Sequence, residues 1–179
     1  MIDRNTILQN QSAPYVIGVN GLDCAGKTTY ALKLQQILIE TGKSVNLLHI
    51  DDFNNLAQQK IVYDAYAKGA FSESLFEAYY DNSIHYNKVA DALEASKDCF
   101  TITIIEGVFL YKQSLVDLID YKIFLRVDQT LARERYADRK IAVDDSRPLT
   151  VFEDIWVRAY DRYCAEYQPE TLADFIDVS

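Results

Sequence analysis

The chain has 179 residues, 49% of them apolar, with 18 Lys and Arg set against 27 Asp and Glu for a formal net charge of −9. This is enough apolar material for one buried core, so a single domain over residues 1–179 is expected, and so acidic a chain lacks the cationic field that nucleic-acid binding relies on. No apolar run approaches the roughly 20 residues of a bilayer span, MIDRNTILQN lacks the layout of a secretory leader, and Cys24, Cys99 and Cys164 are too few and too scattered for a disulfide framework or a CxxC knuckle, which together point to a cytoplasmic protein.

In chain order, Tyr15 to Asn20 (YVIGVN) is a β-branched run that meets a glycine turn, and Lys27 to Thr41 repeats Ala31, Leu34, Ile37 and Leu38 at helical spacing up to a stop at Gly42. Ser44 to Ile50 reads as a second buried strand, which closes a right-handed βαβ unit. The tyrosine-rich stretch from Tyr63 to Ala95 reads as two helices. Phe100 to Ile105 and Lys122 to Val127 read as strands separated by a helix over Gln113 to Ile119. Gln129 to Lys140 and Leu149 to Tyr167 are helical by pattern, and Ala173 to Val178 adds a last short strand after Pro169. Continuous apolar strands alternating with helices predict an α/β fold around a parallel sheet.

Gly21-Leu-Asp-Cys-Ala-Gly26-Lys27-Thr28 fits G-x-x-x-x-G-K-[ST] between an apolar strand and an amphipathic helix, the setting that makes this pattern a phosphate loop rather than an ordinary glycine turn. Gly21 and Gly26 allow backbone angles and approaches that a Cβ would block, so main-chain N–H groups from Asp23, Cys24, Ala25 and Gly26 through Thr29 can turn inward on phosphate. Lys27 brings a cation to the terminal phosphates of ATP, and the Thr28 hydroxyl is placed to ligate Mg²⁺. The thiol of Cys24 occupies a variable position and is incidental.

The fate of the phosphate depends on carboxylates at the tips of neighbouring strands, where α/β folds place their ligands. Asp51 and Asp52 follow the second strand in HIDDF, and Glu106 follows the third in TIIEGVF. Strand-end acids often just enter a turn; two such sites beside a phosphate loop suit an Mg²⁺ shell at Glu106 and a general base at Asp51 or Asp52. Arg133, Arg135 and Arg139 crowd one helix, followed by the polar segment Asp144-Asp-Ser-Arg147-Pro. Glu134 and Asp138 could make this a solvated face, but guanidinium groups on a lid over ATP are the reading preferred here.

Tyr63, Tyr66, Tyr79, Tyr80 and Tyr86 could line an acceptor pocket, although tyrosines at helical spacing are more often packing. His49 and His85 are isolated and make neither a metal site nor a triad, and Trp156 reads as core. A GTPase-like switch would carry an NKxD element, and Asn87-Lys-Val-Ala90 lacks its last residue.

GLDCAGKTT, HIDDF, YYDNSIHY, IIEGVFL, ARERYADR and the tail RAYDRYCAEYQPETLADFIDV, in this order, resemble the uridine kinase-like group of P-loop nucleoside kinases over most of the chain. The resemblance implies a P-loop NTPase of nucleoside-kinase type, a three-layer sandwich with an arginine-bearing lid near residues 133–148, acting on a nucleoside with uridine or cytidine as the expected acceptor. It implies that Asp51 is the catalytic base and that Lys27, Thr28 and Glu106 serve ATP and Mg²⁺. Arg133, Arg135 and Arg139 then serve the lid, and Asp81 holds ribose hydroxyls, with Asp52, Phe53 and His85 as further acceptor contacts. Asn54, Asn82 and Ser83 depart from the group's usual residues, and an insert that often contacts a pyrimidine is short or missing, which bears on the choice of base more than on the reaction. Nicotinamide riboside, pantothenate or a sugar phosphate are the alternative acceptors. The partner expected is a small molecule, not nucleic acid or a membrane, and a homo-oligomer is compatible with the sequence.

Overall fold

The structure, a computed structural model, describes residues 14–178; the reading of the N-terminal MIDRNTILQN lies outside them. Five strands, β1 (Tyr15–Gly21), β2 (Val45–His49), β3 (Ile102–Gly107), β4 (Tyr121–Arg126) and β5 (Phe175–Val178), form one sheet in the order β2-β3-β1-β4-β5. All of the pairings are parallel, as expected. Within a residue or two these are the strands that the apolar runs predicted, but β2, expected to be buried, lies at the sheet edge with all of its residues half-buried. Side chains alternate across the sheet with period two: Ile17, Val19, Ile102, Ile104, Ile123 and Leu125 face one side, whereas Val16, Ile105 and Phe124 face the other.

The first of these faces is covered by α1 (Lys27–Glu40), whose Tyr30, Ala31, Leu34 and Leu38 form its buried stripe. The second face carries everything else. Here lie α2 (Leu56–Ala67), α3 (Glu73–Asn82), α4 (Tyr86–Lys97), the short α5 (Gln113–Val116), α6 (Gln129–Ala142), a π-helical turn over Phe152–Val157 and α7 (Arg158–Tyr167). The layers are therefore helix, sheet and helices, with the larger and more aromatic core on the second face. Among the described residues, no helix is long and apolar enough to cross a membrane.

Three readings are corrected. The stretch read as two helices from Tyr63 to Ala95 is three, because the Ser72 hydroxyl caps a new helix at Leu75 N and the chain breaks again at Ser83 and Ile84. The helix expected over Gln113 to Ile119 ends at Val116. The closing helix read from Leu149 begins with the π-helical turn, whose wider register carries Phe152, Ile155, Trp156 and Val157 into the core before α7 continues in ordinary geometry.

Strand order places the site. From β1 the chain runs outward to β2 at one edge, returns to β3, then crosses β1 to β4 and β5, so the sheet's direction of growth reverses between β3 and β1. A crevice opens at that reversal, at the C-terminal ends of the strands.

Candidate active site

The loop after β1 and the first turn of α1 form one wall of that crevice. Gly26 takes φ 89°, a left-handed conformation that glycine adopts without strain, and Cys24 takes φ 63°. This alternation of backbone conformation at a helix N-terminus is that of an anion nest, although the Ala25 N–H, expected to face phosphate, donates instead to the Leu22 carbonyl at 3.1 Å. Lys27 is buried, and its ammonium donates to the carbonyl of Leu22 at 2.8 Å, which holds the cation over the loop. Burial raises the pKa of Cys24, so the thiol stays neutral.

The register of the sheet sets the opposite wall. Val19 of β1 and His49 of β2 both align with Glu106 on β3, so loop, HIDDF turn and EGV turn emerge at one level. Glu106 is 6% exposed, and its Oε1 accepts from the Thr28 hydroxyl at 2.9 Å. Gly107 follows because nothing larger fits: a Cβ there would lie 1.9 Å from Ile50 Cγ2, and Ile50 opens the 3₁₀ turn Ile50–Phe53 that carries Asp51. The close approach brings Asp51 beside Glu106.

Asp23, Cys24, Gly26, Lys27, Thr28, Thr29, Asp51, Glu106, Gly107, Val108, Arg135 and Arg139 line one cleft of about 250 Å³. Asp51 is exposed at its mouth, yet the walls dehydrate the carboxyl enough to raise its pKa. Asp23 and Glu106 push it the same way, against Lys27 and Arg139. Arg135 donates to the carbonyl of Cys24 at 3.2 Å, so α6 rests on the phosphate loop. The Asp128 carboxylate fixes the start of that helix by accepting from Thr130 N at 2.8 Å.

A second cavity, about 140 Å³, adjoins the first and shares Asp23, Asp51, Val108 and Arg139 with it. Its other walls come from far along the chain: Asn54 and Gln59, Tyr63 of α2, Tyr79 of α3, Ser83, Ile84, Phe109, Arg147 and Trp156. Two segments are stitched together beneath it, with Asn55 N donating to Ser83 O at 2.8 Å and His85 N to Phe53 O at 2.9 Å. The Trp156 indole donates to the Tyr63 hydroxyl at 2.9 Å. Arg147 lies over both rings, 5.1 Å from the Tyr63 centroid and 4.8 Å from Trp156. Asp145 accepts from its guanidinium through both carboxylate oxygens, and these hydrogen bonds hold the Asp145 pKa at about 2.

Several residues expected at the site lie elsewhere. Gly21 and Ala25 do not line the cleft: Gly21 closes β1 and Ala25 is buried in the core against α1. Arg133 is two residues from Arg135 on a helix, hence on another face, and pairs with Glu153, whereas Arg135 and Arg139 are four apart and point together. Asp52, Phe53, Asp81 and His85 line neither cavity. Phe53 packs against the core, and His85 stands at the residue before α4 without a capping hydrogen bond from its side chain. Asp81 is exposed on α3, turned away from the Tyr79 and Ser83 side by helical spacing. Conversely, Tyr63, Tyr79 and Trp156, which the sequence reads as packing or core, also form cavity walls: Tyr79 and Trp156 are buried and Tyr63 is half-buried. Arg147 had a sequence signal, a cation before proline in an acidic turn, but nothing in that signal says which rings it would cover.

The donors at Thr28 and Glu106 are hard oxygens and few, which suits Mg²⁺, an ion that fills most of its octahedron with water and phosphate. Among the described residues, no group of three or more His, Cys, Asp or Glu forms a dedicated metal cage.

Over 177 aligned residues the chain is 29% identical to a protein named uridine kinase from Leuconostoc citreum, covering 87% of this chain and 79% of that one. Among solved structures, a possible uridine kinase from Bacillus stearothermophilus matches with a TM-score of 0.65 at 23% identity, over 96% of this chain and 92% of that one. A shikimate kinase from Bacteroides thetaiotaomicron matches with a TM-score of 0.52 at 16% identity, over 90% and 84%. No family model matches the chain. The resemblance read from the motifs is thus found again in a curated relative, and the α/β fold is that of P-loop kinase structures.

Proposed function

We propose that this uridine kinase-like chain is an ATP-dependent phosphotransferase that moves the γ-phosphate to the primary hydroxyl of a nucleoside, with uridine or cytidine as the expected acceptor. The observation that carries the reading is that Asp51, at the tip of β2 and beside Glu106, borders both the phosphate-loop cleft and the adjoining cavity; Asp23, the other carboxylate they share, belongs to the phosphate loop itself. A hydroxyl seated in the second cavity meets Asp51 on its way to a phosphate seated in the first. Asp51 takes the hydroxyl proton as the oxygen attacks in line, and its raised pKa makes it a better base than an ordinary aspartate. Lys27, Arg135 and Arg139 hold the charge that spreads over the transferred group. Thr28 and Glu106 would hold Mg²⁺, which when bound neutralises phosphate charge.

A second reading, a smaller hydroxyl acceptor, is favoured by Arg147. Its guanidinium already covers the Tyr63 and Trp156 rings on which a base would stack, in a cavity of only about 140 Å³. One panel tests both: ADP formation and phosphorylated product with ATP and nucleosides, nicotinamide riboside, pantothenate or sugar phosphates. Turnover that depends on a nucleoside is the expected result. Turnover only with a smaller acceptor selects the second reading, and acceptor-independent hydrolysis overturns both.

A further inference from the structure

His49 ends β2, an edge strand paired only with β3, and stands in register with Glu106. Its ring is half-buried at 34% exposure, and its Nδ1 lies 2.7 Å from Glu106 Oε1. The Thr28 hydroxyl reaches the same oxygen at 2.9 Å. Both hydrogen bonds therefore end on Oε1, and neither involves Oε2. With a carboxylate as acceptor, Nδ1 carries the hydrogen in this contact.

We infer that His49 is a positioning residue for the metal-binding carboxylate: Nδ1–H and the Thr28 hydroxyl pin Oε1 from two sides and leave Oε2 as the oxygen offered to the ion or to its water. The inference rests on the assignment of Glu106 to Mg²⁺ in the proposed function. A glutamate has three rotatable bonds, and one already held in a single rotamer loses no further freedom when the ion arrives. Partners that hydrogen-bond a ligating carboxylate tune metal affinity in this way, and their loss weakens binding about 10- to 100-fold. An isolated histidine in a strand gives no hint of this in the sequence; only the β2–β3 register makes it a neighbour of Glu106.

The test is Mn²⁺ binding to the full chain loaded with ADP, read by electron paramagnetic resonance of the free ion. His49→Phe keeps a ring and removes the donor; His49→Asn supplies an amide N–H in place of Nδ1–H. The expected result is Mn²⁺ affinity reduced about tenfold or more in His49→Phe, close to native in His49→Asn, with ADP affinity in the absence of metal unchanged in both. Should His49→Phe not fold, His49→Ala removes the same donor at a half-exposed edge position and carries the same expectation. Native Mn²⁺ affinity without the donor, or a loss in His49→Asn as large as in His49→Phe, overturns the inference. Glu106→Gln separates it from its premise: if that variant weakens Mn²⁺ binding while the donor-less one does not, only the role of His49 fails. If Glu106→Gln also binds Mn²⁺ like the native chain, the assignment of Glu106 itself fails.

Discussion

The two adjoining cavities are built in opposite ways. The phosphate-loop cleft takes most of its lining from residues 23–29 and from two strand tips that the sheet register brings level. The adjoining cavity draws on residues 54–84, 108–109 and 147–156, which meet only when α2, α3 and the segment after α6 pack on the same face of the sheet. A motif thus carries its own geometry at the first, and long-range packing shapes the second. In the proposed reaction the first would hold the phosphate donor and the second would select the acceptor.

Substitutions that separate the cavities test this division. The largest effect is expected at their junction: Asp51→Asn should lower the transfer rate about 10²- to 10⁴-fold while ATP affinity stays near native. Lys27→Ala should lose ATP affinity and transfer together, and isothermal titration beside a transfer assay distinguishes the two patterns. Next, Arg147→Ala should raise the acceptor KM roughly 10- to 100-fold, the loss of a charged hydrogen-bonding partner, with ATP affinity unchanged; an equal loss of ATP affinity would show that the cavities are not independent. The smallest effect is a shift in the pH profile. Protonation removes the base, so the transfer rate should fall as pH drops through the raised pKa of Asp51, above the usual aspartate value of about 3.9. Asp23 raises that pKa and Arg139 lowers it, so Asp23→Asn should move the acid limb to lower pH and Arg139→Ala to higher pH.

How much of this was legible follows the same division. GLDCAGKTT announced its loop because turn, cation and hydroxyl lie within nine residues, and the structure puts Lys27, Thr28 and Glu106 on one cleft. Asp51 and Glu106 were legible as strand-end acids because each follows a short apolar run with a sharp end, half-buried in β2 and fully buried in β3. Asp52 and Asp81 looked equally acidic and equally near. A 3₁₀ turn and a helix face turned them away, and pattern alone does not resolve single side-chain directions. The pair Gly107 and Ile50 lies 57 residues apart along the chain, and the absence of a Cβ acquires meaning only when the two backbones meet.

Alone, the sequence determined the alternation of strands and helices, the phosphate loop and the two acidic strand tips, because each is written in neighbouring residues through hydrophobic period, turn chemistry and spacing. Tertiary structure alone decided which arginines of α6 face the loop, that Arg147 lies across Tyr63 and Trp156, and that His49 reaches Glu106. These are contacts between residues far apart in the chain, and their partners are chosen by sheet register and helix packing rather than by any local preference.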